Sequence, residues 1–178
     1  MKNNEIQIKG KILYVYETPR KGNLLVRVGC KGNVVLCFIC NQSLKEQFRS
    51  FSVGDYINLT GNIQSSKRDD KITYTVFVES IIPLEFSDRS FYNQFWLNGT
   101  VAAIQHLNEC IKIIIKTENE SRISYVPVVF YYPDIRKLNF EVGEKIATTG
   151  SVQSVRKKSA DGEYVYYQNY VGNQDKTG

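Results

Sequence analysis

The stretch FSVGDYINLTGNIQS, residues 51–65, decides the fold because it returns later in the chain as FEVGEKIATTGSVQS, residues 140–154. The two copies lie 89 residues apart at every position. The same separation relates IKGKI, residues 8–12, to LNGTV, residues 97–101. Self-similarity at a fixed offset is the signature of a duplicated structural unit. The sequence therefore predicts two copies of one small domain in tandem.

Each copy is predicted to contain five β-strands. In the repeated stretch, Ile57 and Leu59 alternate with polar neighbours such as Asn58, which predicts a strand with one buried and one wet face. Gly61 and its equivalent Gly150 are expected to mark a bend or a bulge in this strand. The expected strands cover residues 6–16, 23–28, 33–40, 55–64 and 71–81 in the first copy, and 95–104, 110–117, 122–130, 144–153 and 163–171 in the second.

A short helix is predicted between the third and fourth strands of each copy. Residues 43–51 carry apolar side chains at helical spacing, and Ser43 with Glu46 fits a capping box. Residues 133–138 begin with a proline, which a first helical turn tolerates. Three strands, a helix and two strands is the order of the five-stranded Greek-key barrel called the OB-fold. We therefore expect an all-β protein with an OB-fold at residues 1–86, a linker at 87–94, a second OB-fold at 95–172 and a short polar tail at 173–178.

The charge of the chain is mildly positive. The formal net charge is +5, which fits a polyanionic partner. Residues 1–89 hold 13 basic and 9 acidic side chains, so the first copy is the expected electrostatic anchor. No signal peptide follows Met1, and no run approaches the ~18 apolar residues of a membrane span. The sequence therefore predicts a cytoplasmic protein without a membrane partner.

No metal, cofactor or catalytic centre is expected. Cys37 and Cys40 form a C-x-x-C, but alternation along a strand points residues three apart to opposite faces, where they cannot bind one metal ion. All four cysteines are expected to be free thiols in a reducing compartment. With His106 as the single histidine and no nucleophile motif, the sequence predicts that the protein is not an enzyme.

A series of motifs runs through the first copy in a fixed order. An apolar third strand is followed by an aromatic residue that ends the helix, Phe51, by VGD at residues 53–55 and by LTGNIQS at residues 59–65. A basic loop and YTVFV at residues 74–78 complete the series. Over residues 35–84, and again in the second copy, these motifs resemble the bacterial single-stranded-DNA-binding protein family. The resemblance implies OB-folds that bind and protect single-stranded DNA, without sequence specificity, during DNA replication, recombination or transfer.

The resemblance also bears on assembly. Family members with two OB-folds per chain form dimers, which implies a homodimer with four barrels here. The family often has a tryptophan in the hairpin after the fourth strand, where this chain has Arg68 and Lys157. It usually ends in a linker with an acidic tip that recruits partners, whereas this sequence ends in QDKTG. We therefore expect no acidic recruiting tail.

The candidate phosphate-binding residues are basic and recur in both copies. OB-folds engage a single strand on one barrel face, where basic hairpins contact phosphates and aromatic rings stack on bases. Arg27 and Lys116, on the second strands, correspond at the offset of 89 and are expected to face outward. The basic candidates in the hairpins between the fourth and fifth strands are Lys67, Arg68, Lys71, Arg156, Lys157 and Lys158.

Aromatic candidates lie mainly on the fifth strands. Alternation places Phe77 and Tyr166 on the open face, beside Thr75 and Tyr164. The same pattern predicts buried positions at Val76, Val78, Val165 and Tyr167. The other candidates are Tyr74, Phe38 and Tyr125 on the third strands, and Tyr14, Tyr16, Arg20 and Lys21 around the first loop. Pro127 suggests a bulge that makes the register of its strand uncertain.

Two other functions fit the same pattern. An aromatic barrel face also suits a subunit interface, so the alternative is an OB-fold protein-interaction or assembly module. RNA binding is the other alternative, because the sequence does not reveal whether a 2′-hydroxyl is recognised. Sequence-specific duplex recognition is disfavoured, because no segment offers a long basic helix for a major groove.

Overall fold

The computed structural model describes residues 2–68, 70–84, 90–120, 122–131 and 139–173, with side chains at all of these except 66–68 and 166. The first five strands are β1 Asn4–Glu17, β2 Leu24–Cys30, β3 Asn33–Ile39, β4 Tyr56–Arg68 and β5 Lys71–Pro83. The next five are β6 Tyr92–His106, β7 Cys110–Asn119, β8 Arg122–Tyr131, β9 Lys145–Lys158 and β10 Tyr164–Gly172. The described helix, α1, is Gln42–Phe48.

The strands close into two barrels of five. In the first barrel, β1 pairs with both β2 and β4, and β3 pairs with β5, so the hydrogen-bonded circuit closes. In the second barrel, β6 pairs with both β7 and β9, and β8 pairs with β10. The closing pairs β3–β5 and β8–β10 are parallel. The pairing confirms the predicted fold class, all-β with two tandem OB-folds. The helix predicted at residues 133–138 lies outside the described residues.

The two barrels are joined edge to edge by an antiparallel ladder between β1 and β6. Ile6 pairs with Phe95, which is its own equivalent at the offset of 89. Ile8 pairs with Asn93, the equivalent of Asn4. A local two-fold axis therefore passes through the Ile6–Phe95 pair. β6 begins at Tyr92, so part of the segment predicted as a linker, residues 92–94, belongs to this ladder.

The same two-fold relation appears in a pair of asparagine side chains, of which Asn4 is buried and Asn93 half-buried. Asn4 donates from Nδ2 to the carbonyl of Ile63 at 2.8 Å and accepts from the amide of Ile63 at 2.9 Å. Asn93 makes the matching contacts with Val152, at 2.7 Å and 2.9 Å. Each asparagine side chain therefore binds the N–H and the carbonyl of one residue, as a neighbouring strand would. These backbone groups would otherwise be unpaired, because the strands diverge there.

Each barrel has an aliphatic interior, and two glycines allow the strands to approach closely. Ile6 and Phe95, on the joining strands, are fully buried, and burying such a side chain stabilises a fold by about 1.5–3 kcal/mol. A Cβ on Gly61 would lie 2.0 Å from the Phe77 carbonyl oxygen, and one on Gly150 would lie 2.4 Å from the Phe95 ring. The β4–β5 ladder shifts register at Gly61, which confirms the bulge predicted there, whereas both ladders of β9 run through Gly150 without a shift.

The beginning of α1 differs from the prediction. Asn41 is the N-cap, in an extended conformation, and its Oδ1 accepts from the amide of Leu44 at 3.2 Å. The capping box predicted at Ser43 is therefore wrong, because an asparagine two residues earlier satisfies the first turn. The helix also ends at Phe48, which packs into the barrel, rather than at Phe51.

Two further expectations for the strands are wrong. The β7–β8 ladder continues through Pro127 without a register shift. On its other side β8 is next to β10, and these two strands pair at Val129 rather than at Pro127. The missing N–H of Pro127 therefore does not interrupt that pairing. Asn58, predicted to face solvent, is buried because Gln7 of β1 covers it and donates to its Oδ1 at 3.1 Å.

Candidate nucleic-acid interface

The β4–β5 and β9–β10 hairpins differ in length, which changes the residues that correspond between the barrels. Gln64 pairs with Thr75 in the first barrel. Its equivalent in the second barrel, Gln153, pairs with Asn169. The offset between β5 and β10 is therefore 94 rather than 89. Five extra residues in the second hairpin account for the difference.

This shift overturns the predicted burial of β10. Val165 and Tyr167 were predicted to be buried, but they are 40% and 52% exposed. The position that matches buried Val76 is held by Tyr170, which is 1% exposed. Thr75 was predicted on the open face and is buried, because the outer side of β5 at this point faces the second barrel.

A groove of 460 Å³ lies between the two barrels. One wall comes from β2, β3 and β5 of the first barrel, and the other comes from β10 of the second. Its lining combines cationic, apolar and aromatic residues and includes Arg27, Leu36, Lys71, Ile72, Tyr74 and Tyr167. Three residues predicted from the sequence, Arg27, Lys71 and Tyr74, thus come together here. The aromatic side chain from the second barrel is Tyr167, which was predicted to be buried. We call this cavity the inter-barrel groove.

Two cation–aromatic contacts border the inter-barrel groove. The guanidinium carbon of Arg27 lies 5.1 Å from the ring centre of Tyr14, its neighbour across the β1–β2 ladder. The ammonium of Lys157 lies 5.6 Å from the ring centre of Tyr167. Such contacts at exposed sites contribute about 0.5–1 kcal/mol. They orient the cations, yet they are weak enough for a phosphate to compete.

Side chains of the second barrel fix the base of the groove by binding the backbone of the first. Gln168 accepts from the amide of Leu36 and donates to the carbonyl of Tyr74, the latter at 3.2 Å. The hydroxyl of Tyr170 donates to the same carbonyl at 3.0 Å. Burial raises the pKa of Tyr170, which keeps this hydroxyl protonated and able to donate. The two walls are therefore held in one arrangement.

Phe77 is half-buried rather than open. Its ring centre lies 5.0 Å from that of Phe38 on the neighbouring strand. The guanidinium of Arg122, from the second barrel, lies over the ring at 5.7 Å. Arg122 was not a sequence candidate, because its approach to Phe77 depends on how the barrels pack together.

The first-loop candidates lie apart from the groove lining. Tyr16 is 43% exposed near the end of β1, and Arg20 and Lys21 are exposed in the connection to β2. The backbone carbonyl of Lys21 accepts from the ammonium of Lys45 at 3.3 Å, which links this connection to α1.

The candidates of the second barrel form two separate groups. On the β7–β8 face, Lys116 bonds to Glu118 at 2.8 Å, and this hydrogen bond raises the pKa of Lys116. Tyr125, across the ladder from Lys116, is 48% exposed. On the β9–β10 hairpin, the guanidinium of Arg156 lies 4.0 Å from the ring centre of Tyr164.

The remaining candidates lie in the hairpins. Lys158 is exposed at the end of β9. The side chains of Lys67, Arg68 and Tyr166 lie outside the described part of the chain, so their roles stay predictions. The signal that could have identified Tyr167 is the long turn SADGE, residues 159–163, because it indicates that the offset changes within the hairpin.

The cysteines follow the alternation of their strand. Cys37 is buried and Cys40 is exposed, and burial raises the pKa of Cys37 to about 12. Across residues 2–68, 70–84, 90–120, 122–131 and 139–173, no three His, Cys, Asp or Glu side chains form a group that could hold a metal ion. Within the same ranges, no helix has the length and apolar character needed to cross a membrane.

Two closed five-stranded barrels in one chain define a tandem OB-fold protein. The fold is similar to that of the single-stranded DNA binding protein from Thermus aquaticus. A deletion mutant of that protein superimposes with a TM-score of 0.72 at 14% identity, over 98% of this chain and 94% of that chain. The wild-type protein gives a TM-score of 0.70 at 12% identity, over 98% and 93%. No protein-family model and no curated protein matches the sequence.

Proposed function

We propose that this protein binds single-stranded DNA along the inter-barrel groove, without sequence specificity. The observation that carries the proposal is the grouping of Arg27 and Lys71 with the exposed ring of Tyr167 in one groove. Cationic grooves with stacking rings are the means by which OB-folds hold single strands. The shared fold with a single-stranded DNA binding protein supports this class of ligand.

The groove divides the binding energy between two kinds of contact. Arg27 and Lys71 neutralise backbone phosphates, and each neutralised phosphate of a single strand contributes about 0.7 to the slope of log K against log salt. Tyr167 stacks on a base, which is worth about 1–3 kcal/mol. Leu36 and Ile72 add apolar surface for base faces. None of these contacts reads a base edge, so the binding is not sequence-specific.

The direct test is a fluorescence-anisotropy titration with labelled oligo-dT, an oligoribonucleotide and a duplex of equal length, at low and high salt. We expect tight oligo-dT binding that weakens with salt and greatly exceeds duplex binding. Tighter binding of the oligoribonucleotide would support the RNA alternative. No preference for any single strand at low salt would contradict nucleic-acid binding and favour an assembly module.

Two variants locate the binding surface. Lys71→Ala is expected to reduce the salt slope by about 0.7, because one phosphate contact is lost. Tyr167→Ala is expected to weaken binding by roughly 5- to 100-fold, because one stack is lost. The control is Arg49→Ala, since Arg49 is an exposed cation at the C-cap of α1. An equal effect of the control would show that net charge, rather than the groove, governs affinity.

The biological setting and the assembly are further parts of the proposal. We propose that binding protects single strands during DNA replication, recombination or transfer, and that two chains form a homodimer with four barrels. Both follow from the sequence resemblance. Light scattering after size exclusion tests the assembly, with an expected mass of twice 20.5 kDa. A single-chain mass at micromolar concentration would contradict the dimer and leave the groove proposal intact.

A further inference from the structure

A second cavity, of 490 Å³, lies between the barrels, bordered by β4 and β5 of the first and by β7 and β8 of the second. We call it the amide pocket; its polar lining includes Lys2, Asn62, Gln64, Glu79, Asn119 and Arg122. The pocket adjoins the inter-barrel groove, because Gln64 pairs across the β4–β5 ladder with Thr75, a residue of the groove lining. The two cavities therefore meet at neighbouring positions of the β4–β5 ladder.

A chain of three side chains fixes the orientation of Gln64. The carboxylate of Glu79 only accepts, so the side chain of Asn62 must donate to it through Nδ2. The oxygen of Asn62 then accepts from Nε2 of Gln64. The oxygen of Gln64 is therefore turned away from this chain, and it has no hydrogen-bond partner although Gln64 is 5% exposed. Flipping either amide would place two acceptors face to face.

The neighbouring amides of the pocket are already satisfied. Asn4 uses both side-chain atoms on Ile63. Asn119 accepts from the amide of Asn3 at 2.9 Å and donates to the carbonyl of Asn4 at 3.2 Å. Gln64, which lines the cavity, thus keeps a buried oxygen without a partner, and an unpaired buried acceptor costs about 1–3 kcal/mol. A ligand with an N–H donor would recover that cost.

The charges of the pocket favour a ligand whose hydrogen-bond donor is uncharged. Two cations, Lys2 and Arg122, face three carboxylates, Glu79, Glu118 and Glu120. A phosphate is disfavoured by this balance, whereas the cations of the groove favour one. Arg122 also presents a planar guanidinium at the pocket beside Phe77, and guanidinium planes stack on bases.

We infer that the amide pocket receives one base of the bound strand and that Gln64 accepts from its exocyclic amino group. The inference rests on the proposed single-strand binding and adds a base preference to it. Adenine, cytosine and guanine each carry an amino donor on the edge that pairs in a duplex. Thymine offers a single ring N–H between two carbonyl oxygens, which the carboxylates of the pocket repel. The protein should therefore show a modest preference for amino-bearing bases.

The test begins on the ligand side, with the unaltered full chain. Oligo-dC is compared with the same oligomer built from 2-pyrimidinone deoxyriboside, which lacks only the amino group. One hydrogen bond to a neutral acceptor predicts binding about three- to tenfold weaker without the amino group. Equal affinities would overturn the inference and assign the oxygen of Gln64 to water. Failure of both oligomers and of oligo-dT to bind would instead contradict the proposed function.

The second test is the variant Gln64→Leu, which removes the hydrogen-bond acceptor and keeps a side chain of similar size. For this variant the ratio between the affinities for oligo-dC and for the pyrimidinone oligomer should fall to about one. Gln105→Leu, at an exposed glutamine of β6, is the matched control and should keep the wild-type ratio. An unchanged ratio in Gln64→Leu would overturn the inference. If that variant fails to fold, the ligand comparison still decides.

Discussion

The two barrels share their interior but differ on the surface that would face a nucleic acid. In the first barrel, Arg27 lies over Tyr14 and lines the inter-barrel groove. At the equivalent positions of the second barrel, Ala103 replaces the tyrosine and Ile114 replaces the arginine. The predicted correspondence of Arg27 with Lys116 is therefore wrong, because the ladders relate β2 to β7 at an offset of 87 rather than 89; Lys116 itself is paired with Glu118. Duplication thus kept the residues that close a barrel, while the outward residues diverged. Binding need not be divided equally between two copies of one fold.

The second barrel instead contributes to the first. Its β10 supplies Tyr167 and Gln168 to a groove whose cations come from the first barrel. This arrangement agrees with the larger excess of basic residues in the first half of the chain. The inter-barrel groove is therefore a property of the pair, and neither barrel has it alone.

The largest expected difference concerns the core position where Tyr170 in the second barrel matches Val76 in the first. Tyr170→Ala should lower the free energy of unfolding by about 3–5 kcal/mol, because it leaves a ring-sized cavity. Tyr170→Phe should cost about 1 kcal/mol, through the hydrogen bond to the Tyr74 carbonyl. Val76→Ala should cost about 2 kcal/mol. Urea unfolding followed by circular dichroism measures all three; equal costs for the two alanine variants would contradict the correspondence.

The paired asparagines test the local two-fold axis. Asn4→Ala should destabilise the fold by about 2–3 kcal/mol, because the backbone groups of Ile63 lose their partners in a fully buried site. Asn93→Ala should cost about 1 kcal/mol, since Asn93 is half-buried and water can replace it at Val152. The same urea measurement compares them. A larger cost for Asn93→Ala would show that the second barrel depends more on this contact.

Binding should respond unequally to loss of one cation from the second strand of each barrel. Arg27→Ala is expected to weaken oligo-dT binding by roughly tenfold, because a phosphate contact in the groove is lost. Lys116→Ala should weaken it by less than about threefold, since Glu118 already neutralises that ammonium. Anisotropy titrations at one low salt concentration measure both. Equal losses would show that the two barrel faces bind alike.

The smallest effect is the pH dependence that Cys37 gives the first barrel. Burial raises the pKa of Cys37 from 9.0 to about 12, so the folded state keeps a proton that the unfolded state releases above pH 9. Stability is therefore complete below pH 9 and falls between pH 9 and 12, by about 1 kcal/mol at pH 10. The second barrel has Val128 at this position. Cys37→Val should remove that loss in urea unfolding at pH 8 and pH 10, and a loss unchanged by the substitution would assign it to other groups.

The sequence predicted the parts of the fold that depend on local pattern. The repeat at 89 residues and the alternation around Ile57 and Leu59 led to ten strands, two barrels and the bulge at Gly61, and these are confirmed. The N-cap at Asn41 was missed, because two capping residues lie within one turn and both satisfy the local pattern.

The candidate site was predicted only in part. Arg27, Lys71 and Tyr74 were chosen from the sequence, and the structure places them together. Tyr167 was assigned to the core, because the repeat offset was carried through a hairpin that holds five extra residues. Strand alternation has a period of two, so an odd number of added residues moves every following side chain to the other face.

The amino-acid pattern determined which segments become strands, which of their faces turn inward, and that one barrel is followed by another, because alternation and repetition act between neighbours in the chain. The tertiary structure decided the ladder between β1 and β6, the inter-barrel groove and the orientation of Gln64. The ladder and the groove depend on contacts between residues of different barrels, and the orientation of Gln64 depends on a contact between β4 and β5. Such contacts exist only after the chain has closed, and no spacing along the sequence records them.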